Sequence, residues 1–297
     1  MNLPQGSIAR LLTRDDIDDV IAMVNRCELA DIGETMWERA DLTSDISTGS
    51  FDEARDWLGV FGDAGCQAWA MVLHPTRAFV DVDPDRRGLG IGTALRGWTE
   101  ERAREMGLQR VGQVIEDRRT DVTAMLSAAG YERGYSSWVL RMDHADEPAP
   151  AQPPPVIEIR TFDPARGTDV LQMFEDAFME FEGRTASTLD AWRATTVERE
   201  GFVPEDMLVA VDGDAVVGGA FLIEADGGIW IDKFATHRDY RHRGIARAML
   251  QTAFRRSWAL GSPFTELNTD SRTGALPFYE RIGMYIRSSY THWTLEL

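Results

Sequence analysis

Two stretches of this sequence can be set against each other without gaps, and both have the residue types that hold an anion. Residues 82–92 read VDPDRRGLGIG and residues 236–246 read THRDYRHRGIA, so each contains R-x-x-G-x-G/A at a strand-to-helix junction. Small residues at Gly88, Gly90, Gly92, Gly244 and Ala246 let a ligand approach the main chain, and the free N–H groups that open the following helix face a negative charge. A pyrophosphate suits such a cradle. One helix end offers only about 0.3–1 kcal/mol per charge at an exposed site, so arginines such as Arg87, Arg241 and Arg243 are expected to assist. Neither stretch fits G-x-x-x-x-G-K-[ST] or G-x-G-x-x-G, which disfavours nucleoside triphosphate and dinucleotide ligands.

The surrounding pattern supplies the elements that must position these loops. In the C-terminal half a strand at Val156–Thr161 precedes a helical pattern from Pro164 to Glu182, with Val170, Leu171, Phe174, Phe178 and Phe181 near i, i+3, i+4 spacing. A second helix is expected over Leu189–Glu200. Strands at Met207–Val211, Ala215–Glu224 and Gly228–Ala235 follow, the first two joined by a turn at residues 212–214 (DGD). Then come a helix (Gly244–Leu260), a strand (Phe264–Asn268), a helix (Ala275–Ile282) and closing strand structure (Met284–Leu297).

The N-terminal half repeats much of this order. It has a helical pattern at Asp15–Leu29, strands near Asp56–Phe61, Cys66–Leu73 and Phe79–Val82, and a helix from Gly90 to Met106. A strand (Gln109–Ile115), a short helix (Val122–Ala129) and a last strand (Trp138–Met142) complete it. Between the halves, residues 144–155 (HADEPAPAQPPP) are rich in proline, which removes backbone donors and favours extended structure. The reading is an α/β (α+β) chain of two related domains, 1–143 and 156–297, joined by a linker at 144–155.

Composition narrows the partners. The 297 residues are 43% hydrophobic and 27% charged, as in ordinary globular proteins, and no apolar run reaches the ~18 residues that span a bilayer. The N-terminus shows no secretory pattern, and Cys27 and Cys66 are too few for a disulfide framework, so a cytoplasmic protein with structural thiols is expected. A net charge of −18 repels nucleic acid and anionic lipid and attracts cationic amines. Lys233 is the single lysine among 31 Lys and Arg residues. No metal-ligating spacing is present.

With both cradles in hand, the chain resembles the GCN5-related N-acetyltransferase (GNAT) superfamily, whose acyl-CoA pyrophosphate site carries this pattern after the fourth strand. The resemblance extends to residues 267–284 (LNTDSRTGALPFYERIGM), which are similar to the family's late strand and its L-Y-E-x-x-G-F/M helix. It implies two tandem GNAT-type domains, each a mixed, mostly antiparallel twisted sheet flanked by helices, with acetyl-CoA as co-substrate. It also implies that Phe234, Ala235, Thr236, Arg241, His242, Arg243, Gly244, Ile245, Ala246 and Asn268 meet the cofactor, and that Tyr279 protonates the departing thiolate. In the N-terminal half, with Gly130 set against Gly283, Leu126 stands at the place of Tyr279. A cradle from Arg87, Gly88, Gly90 and Gly92 is kept there and the acid is lost, so catalysis is expected in the C-terminal domain. The tandem arrangement resembles actinobacterial proteins of the mycothiol synthase type.

Direct transfer needs a neutral amine, and deprotonating a lysine-like amine at pH 7 costs roughly 4–5 kcal/mol. Asp232, His237 and Glu266 are the candidate bases, acting directly or through water, with Asp232 preferred. If the strand alternates regularly, Trp230, Asp232, Phe234 and Thr236 share one face and Lys233 lies on the other, so Asp232 and Lys233 cannot both face the acceptor. Glu175, Phe178, Glu182 and Trp192 either line an acceptor pocket or form the two faces of amphipathic helices. Trp37, Trp57, Trp69 and Trp98 read as core or interface.

The expected function is acetyl transfer from acetyl-CoA to a primary amine of a small molecule, by a monomer or homodimer. The alternatives are an acyl-CoA-binding or sensing protein without turnover and an aminoacyl-tRNA-dependent transferase; the second is opposed by the acidic charge.

Overall fold

The computed structural model describes residues 1–47, 50–180, 186–199, 201–225 and 227–297. The N-terminal half opens with β1 (Ile8–Leu11), α1 (Ile17–Asp31) and α2 (Arg39–Ile46). A meander of β2 (Trp57–Gly62), β3 (Gly65–Leu73) and β4 (Arg77–Val82) leads to α3 (Ile91–Glu105), β5 (Arg110–Glu116), α4 (Thr120–Ala128) and β6 (Glu132–Asp143). The C-terminal half repeats the series as β7 (Ile157–Thr161), α5 (Gly167–Phe178), α6 (Leu189–Thr195), β8 (Met207–Asp212), β9 (Ala215–Ala225) and β10 (Gly228–Thr236). It continues through α7 (Ile245–Ala259), β11 (Phe264–Asp270), α8 (Leu276–Ile282) and β12 (Tyr285–Glu296).

Contacts divide the chain into two compact units that are not continuous in sequence. One comprises residues 1–138, 270–272 and 288–297; the other comprises 139–269 and 273–287. The boundaries fall inside β6 and β12, whereas the sequence pattern suggested unbroken domains of 1–143 and 156–297. In the first unit Tyr290–Glu296 of β12 pair antiparallel with β5. Alternation along a strand fixes its faces and leaves its partner open, which is why the pattern could not place this strand.

Each unit holds a mixed, mostly antiparallel sheet with helices packed on it, the architecture the family resemblance implies. In the first the strand order is β1-β2-β3-β4-β5-β12, and in the second, where residues 139–143 of β6 adjoin β11, it is β11-β10-β9-β8-β7. All of these pairs are antiparallel except β4–β5 and β10–β11. The exceptions are the two strand pairs that open the cradles.

The sheets are held by burial on both faces. Along β3, Trp69 and Met71 join α1 and α2 around Leu12, Val20, Met23 and Leu42, while Ala68 and Ala70 meet Ile91 and Leu95 of α3. In the second unit α5 sets Val170, Phe174 and Ala177 against Val209, Phe221 and Ala235. Each large apolar side chain buried in this way contributes roughly 1.5–3 kcal/mol. Close helix approach is secured at Gly218 and Gly219 of β9: a Cβ there would come within 2.8 Å of the Met249 sulfur and 2.6 Å of the Phe174 ring.

Several expectations change. β1 and α2 have weak patterns, since β1 is mostly exposed and α2 buries only Leu42 and Ile46. The helix expected through Glu182 ends at Phe178, and Phe181 and Glu182 lie outside the described residues. The helix expected through Glu200 ends at Thr195, and Glu200 also lies outside them. The hydroxyls of Thr195 and Thr196 bond back to the carbonyls of Ala191 and Trp192, competition that weakens a helix end. Trp57 and Trp69 are fully buried, and Cys27 and Cys66 are buried free thiols. No described helix is long and apolar enough to cross a membrane.

Candidate active site

The C-terminal cradle is built from the end of β10 outward. His237 caps a short 3-10 turn through its Nδ1, which accepts the Asp239 N–H at 3.3 Å. The chain then takes two left-handed steps, at His242 (φ +62°) and Gly244 (φ +88°), and enters α7. A Cβ on Gly244 would meet nothing within 4 Å, so glycine is needed there for its φ, and the space above the loop is open. The first intrahelical bond runs from the Ala248 N–H to the Gly244 carbonyl, and no side chain caps the helix. The N–H groups ahead of Ala248 are therefore left for an anion. His242 is the one non-glycine with positive φ among the described residues, and it stands where Gly88 stands in the other half.

Two arginines expected to hold the phosphates are used otherwise. Arg241 donates from Nε to the Thr236 carbonyl (3.3 Å) and from Nη1 to Glu180 (2.9 Å), which braces the loop against the strand end. Arg87 does the same, to the Val82 carbonyl (3.1 Å) and in a two-pronged pair to Asp31 (2.7 and 2.9 Å). Arg243 donates to the Asp239 carbonyl and lies over the Tyr240 ring. Arg87 and Arg241 thus brace the two loops, while the main-chain N–H groups at the start of each helix face open space.

Beside the C-terminal cradle the sheet opens. β10 and β11 pair at Ile229–Thr265, Trp230–Glu266 and Ile231–Leu267 and then part. From Lys233 onward β10 keeps its bonds to β9 while its edge toward β11 carries no partner strand, so residues 232–236 offer amide and carbonyl groups to an extended ligand. The Thr236 hydroxyl is buried without a hydrogen-bond partner at this edge, an orphan that a ligand with donors and acceptors would satisfy. Asn268 sits on the facing stretch of β11 and is exposed. These features fit the phosphate and amide-bearing arm of an acyl-CoA.

Tyr279 of α8 lies next to this opening, its ring 6.4 Å from that of Phe234. It is 7% exposed, and burial alone raises its pKa, so the phenol keeps its proton. Its hydroxyl makes no hydrogen bond among the described residues, as suits a donor held for a ligand.

The structure sorts the candidate bases. At Asp232 the register of β10 against β9 slips, from Ile231–Leu222 to Lys233–Phe221, so Asp232 is an extra, bulged residue. The bulge cancels the expected alternation: Asp232 and Lys233 point the same way and pair at 2.5 Å. Glu266 is buried between Arg141 (2.8 Å) and Arg287 (2.5 Å), a carboxylate neutralised by two guanidiniums. His237 spends its Nδ1 on the loop cap. Of the acceptor-pocket candidates, Trp192 is core and Phe178 stacks on Phe174, while Glu182 lies outside the described residues. A cavity of about 340 Å³ lined by Phe162, Thr168, Trp192, Arg193 and Phe202 sits at the start of α5, whereas the cradle contact through Glu180 lies beyond its end. Among the described residues no cluster of His, Cys, Asp or Glu could hold a metal ion.

The N-terminal loop copies the geometry with different contents. Gly88 and Gly90 adopt φ +76° and +83°, and Asp83 caps the 3-10 turn. β4 and β5 are registered only at Arg77–Gly112, and β4 pairs with β3 without a slip. Asp81 is half-buried, its pKa raised by desolvation, and accepts the Trp69 indole N–H at 2.8 Å. Asp31 also takes Arg119 at 2.6 Å, and Leu126 is fully buried where the other half has Tyr279. Sequence marks Trp69 only as a packing residue and gives no signal for Asp31, Asp81 or Arg119, since each acts through a partner distant along the chain.

Comparison with known proteins follows the same lines. A sequence profile described as an acetyltransferase (GNAT) domain matches residues 204–283, the stretch from β8 to Tyr279 and Gly283. The structure superposes on a GCN5-related N-acetyltransferase from Sphaerobacter thermophilus with a TM-score of 0.85 at 28% identity, covering 99% of this chain and 97% of that one. A tandem GNAT protein from the clavulanic acid biosynthesis pathway aligns over 98% of both chains with a TM-score of 0.73 at 16% identity. Saccharomyces cerevisiae N-myristoyltransferase aligns over 100% of this chain and 80% of its own, with a TM-score of 0.69 at 10% identity. Comparison with curated sequences gives no match. Residues 204–283 thus match the profile of a GNAT acetyltransferase domain, and the chain as a whole has the GNAT fold, which it shares with a tandem GNAT protein.

Proposed function

We propose that this protein moves an acetyl group from acetyl-CoA to the primary amine of a small molecule, with the chemistry in the C-terminal half. One observation carries the reading: a parted pair of parallel strands runs straight into a bare helix N-terminus, with a protonated, unpartnered tyrosine alongside. The N–H groups of residues 244–247 hold the pyrophosphate, the free edge of residues 232–236 receives the pantetheine amides, and acetyl-CoA supplies the activated acyl group. Tyr279 donates its proton to the thiolate as it departs. Asp232, freed from Lys233 or acting through water, takes the proton from the amine. Glu266 has no part in this, since its carboxylate is buried and held between Arg141 and Arg287.

The acidic surface favours a cationic acceptor. A mycothiol-type precursor, an aminoglycoside, a polyamine and a protein N-terminus are the classes to try, with the chain acting as a monomer or homodimer in the cytoplasm. No favouring observation supports transfer from aminoacyl-tRNA, and the charge of −18 opposes it.

Calorimetry with acetyl-CoA tests the assignment, using wild type, Gly244→Trp and Gly90→Trp, each checked for folding. The expected result is one site lost only in Gly244→Trp. Two sites, each lost separately, would make both cradles functional and end the division of labour proposed here. No binding by wild type would sink the acyl-CoA reading. Thiol release on adding an amine panel then separates turnover from sensing.

A further inference from the structure

Lys233 occupies a place that its neighbours make chemically special. Every other side-chain cation of fixed charge in the chain is an arginine, whose guanidinium stays protonated in proteins and cannot serve as a nucleophile at neutral pH. The single lysine stands on β10 just past the point where β10 and β11 part, three residues before the strand ends. Its ammonium lies 5.9 Å over the ring of its cross-strand partner Phe221, on the face covered by α5. Phe234, the next residue, points to the opposite face, where it meets Tyr279. The open edge thus has an amine on one side and a thiolate-protonating phenol on the other. The bulge brings a proton acceptor to the amine as well, the Asp232 carboxylate at 2.5 Å. Both side chains remain reachable, at 27% and 34% exposure.

We propose that Lys233 is an auto-acylation site: the acyl group bound in the C-terminal cleft can be transferred to the Lys233 amine of the same chain. The proposal rests on the acyl-CoA reading above. In the reaction the Lys233 ammonium loses one proton to Asp232, and the neutral nitrogen attacks the thioester carbonyl. A C–N bond forms and the C–S bond breaks. The thiolate leaves with the proton of Tyr279, which is restored by the second proton lost from nitrogen, and the proton on Asp232 passes to solvent. An ammonium, a thioester and no other reactant give an amide, a thiol and one free proton. Acylation removes the charge that Asp232 is paired with, so the modified chain presents an unpaired carboxylate beside the cleft.

The experiment incubates the full chain with acetyl-CoA and no acceptor, and follows the mass of the intact protein. Trypsin reports the position. Unmodified chain is cut after Lys233, whereas acetylated Lys233 leaves one peptide spanning residues 200–238. One acetyl increment at Lys233 in wild type, absent from Lys233→Arg and strongly reduced in Gly244→Trp, is the expected result. The neutral amine fraction grows about tenfold per pH unit below the lysine pKa, so labelling should accelerate from pH 7 to pH 9. Calorimetry run in parallel separates the two ideas. Binding of acetyl-CoA with Lys233 left unmodified overturns the auto-acylation proposal alone, and so does equal labelling of wild type and Gly244→Trp. Absence of both binding and label overturns the acyl-CoA reading and this one with it.

Discussion

The two halves share a backbone register and differ in what fills it. Trp69–Asp81 on β3 and β4 stands at the same rung as Gly219–Ala235 on β9 and β10, with Ala68–Val82 matching Gly218–Thr236 on one side and Ala70–Val80 matching Ala220–Phe234 on the other. At that rung the N-terminal half sets an indole against a carboxylate and the C-terminal half sets two of the smallest residues. Two rungs further the C-terminal half inserts Asp232 and the N-terminal half inserts nothing. Leu126 and Tyr279 complete the contrast. On the proposed reading, main-chain geometry alone does not make a transferase cleft, and the same loops and strands serve as scaffold where large and charged side chains occupy the rung. The comparison can be broken by exchanging its members.

Trp69→Ala should give the largest effect. The ring is fully buried and packs against Trp37 and Phe79, so its removal should cost about 3–5 kcal/mol and strand the Asp81 carboxyl without its donor. Thermal or urea unfolding measures it. A loss under about 1 kcal/mol would mean that this rung is not structural, and the argument for an N-terminal scaffold would fail.

Tyr279→Phe comes next, and it should separate activity from stability. The hydroxyl has no partner among the described residues to lose, so the melting temperature and acetyl-CoA affinity should stay unchanged. The turnover rate should fall by about 10–100-fold, at or below the usual range for a general acid, because a thiol of pKa near 8.5 leaves easily and water can partly substitute. An unchanged turnover would remove the acid role. A lower melting temperature would instead reveal a structural hydroxyl.

Sequence reading went furthest where chemistry is local. The R-x-x-G-x-G/A stretches located the left-handed glycines that open the two helices, Gly90 and Gly244, because the conformational demand falls on the residue itself. It stopped where a side chain's role depends on a distant partner. Arg87 and Arg241 read as phosphate ligands, yet each is claimed by a carboxylate, Asp31 and Glu180, 56 and 61 positions away. The bulge at Asp232 has no residue signature, since it arises from the register of β10 against β9, and with it the Asp232–Lys233 pair stayed hidden. Glu266 reads from sequence as a candidate base or a strand-face salt-bridge partner, and only the fold decides for the second by bringing Arg141 and Arg287 to it.

The loop braces allow a matched test of smaller size. Asp31 is 15% exposed and serves both Arg87 and Arg119, whereas Glu180 is 38% exposed and serves Arg241. Asp31→Ala should therefore cost about 1–3 kcal/mol, because two half-buried guanidiniums lose their counter-charge. Glu180→Ala should cost at most about 1 kcal/mol, since water and salt already screen that pair. Equal costs, measured by denaturant unfolding at the same ionic strength, would show that burial does not distinguish the two braces.

The smallest effect is a pH dependence confined to the N-terminal half. Asp16 accepts the Thr13 N–H (2.9 Å) and hydroxyl (3.0 Å) and two bonds from Arg10, which together hold its pKa down at about 2. The folded value lies below the unfolded one of 3.8, so the unfolded chain binds the proton more tightly. The stabilisation is then complete above about pH 4 and lost as pH falls toward 2. Arg10 is 48% exposed, so solvent screening reduces the contribution to roughly 1 kcal/mol. The corresponding turn of the C-terminal half is capped by Asp163, which accepts the Ala165 N–H and has no guanidinium partner among the described residues. Asp16→Asn should flatten the fall in stability between pH 4 and 2, and Asp163→Asn should leave it in place. If Asp163→Asn flattened it equally, the acid sensitivity would belong to both turns and this difference between the halves would disappear.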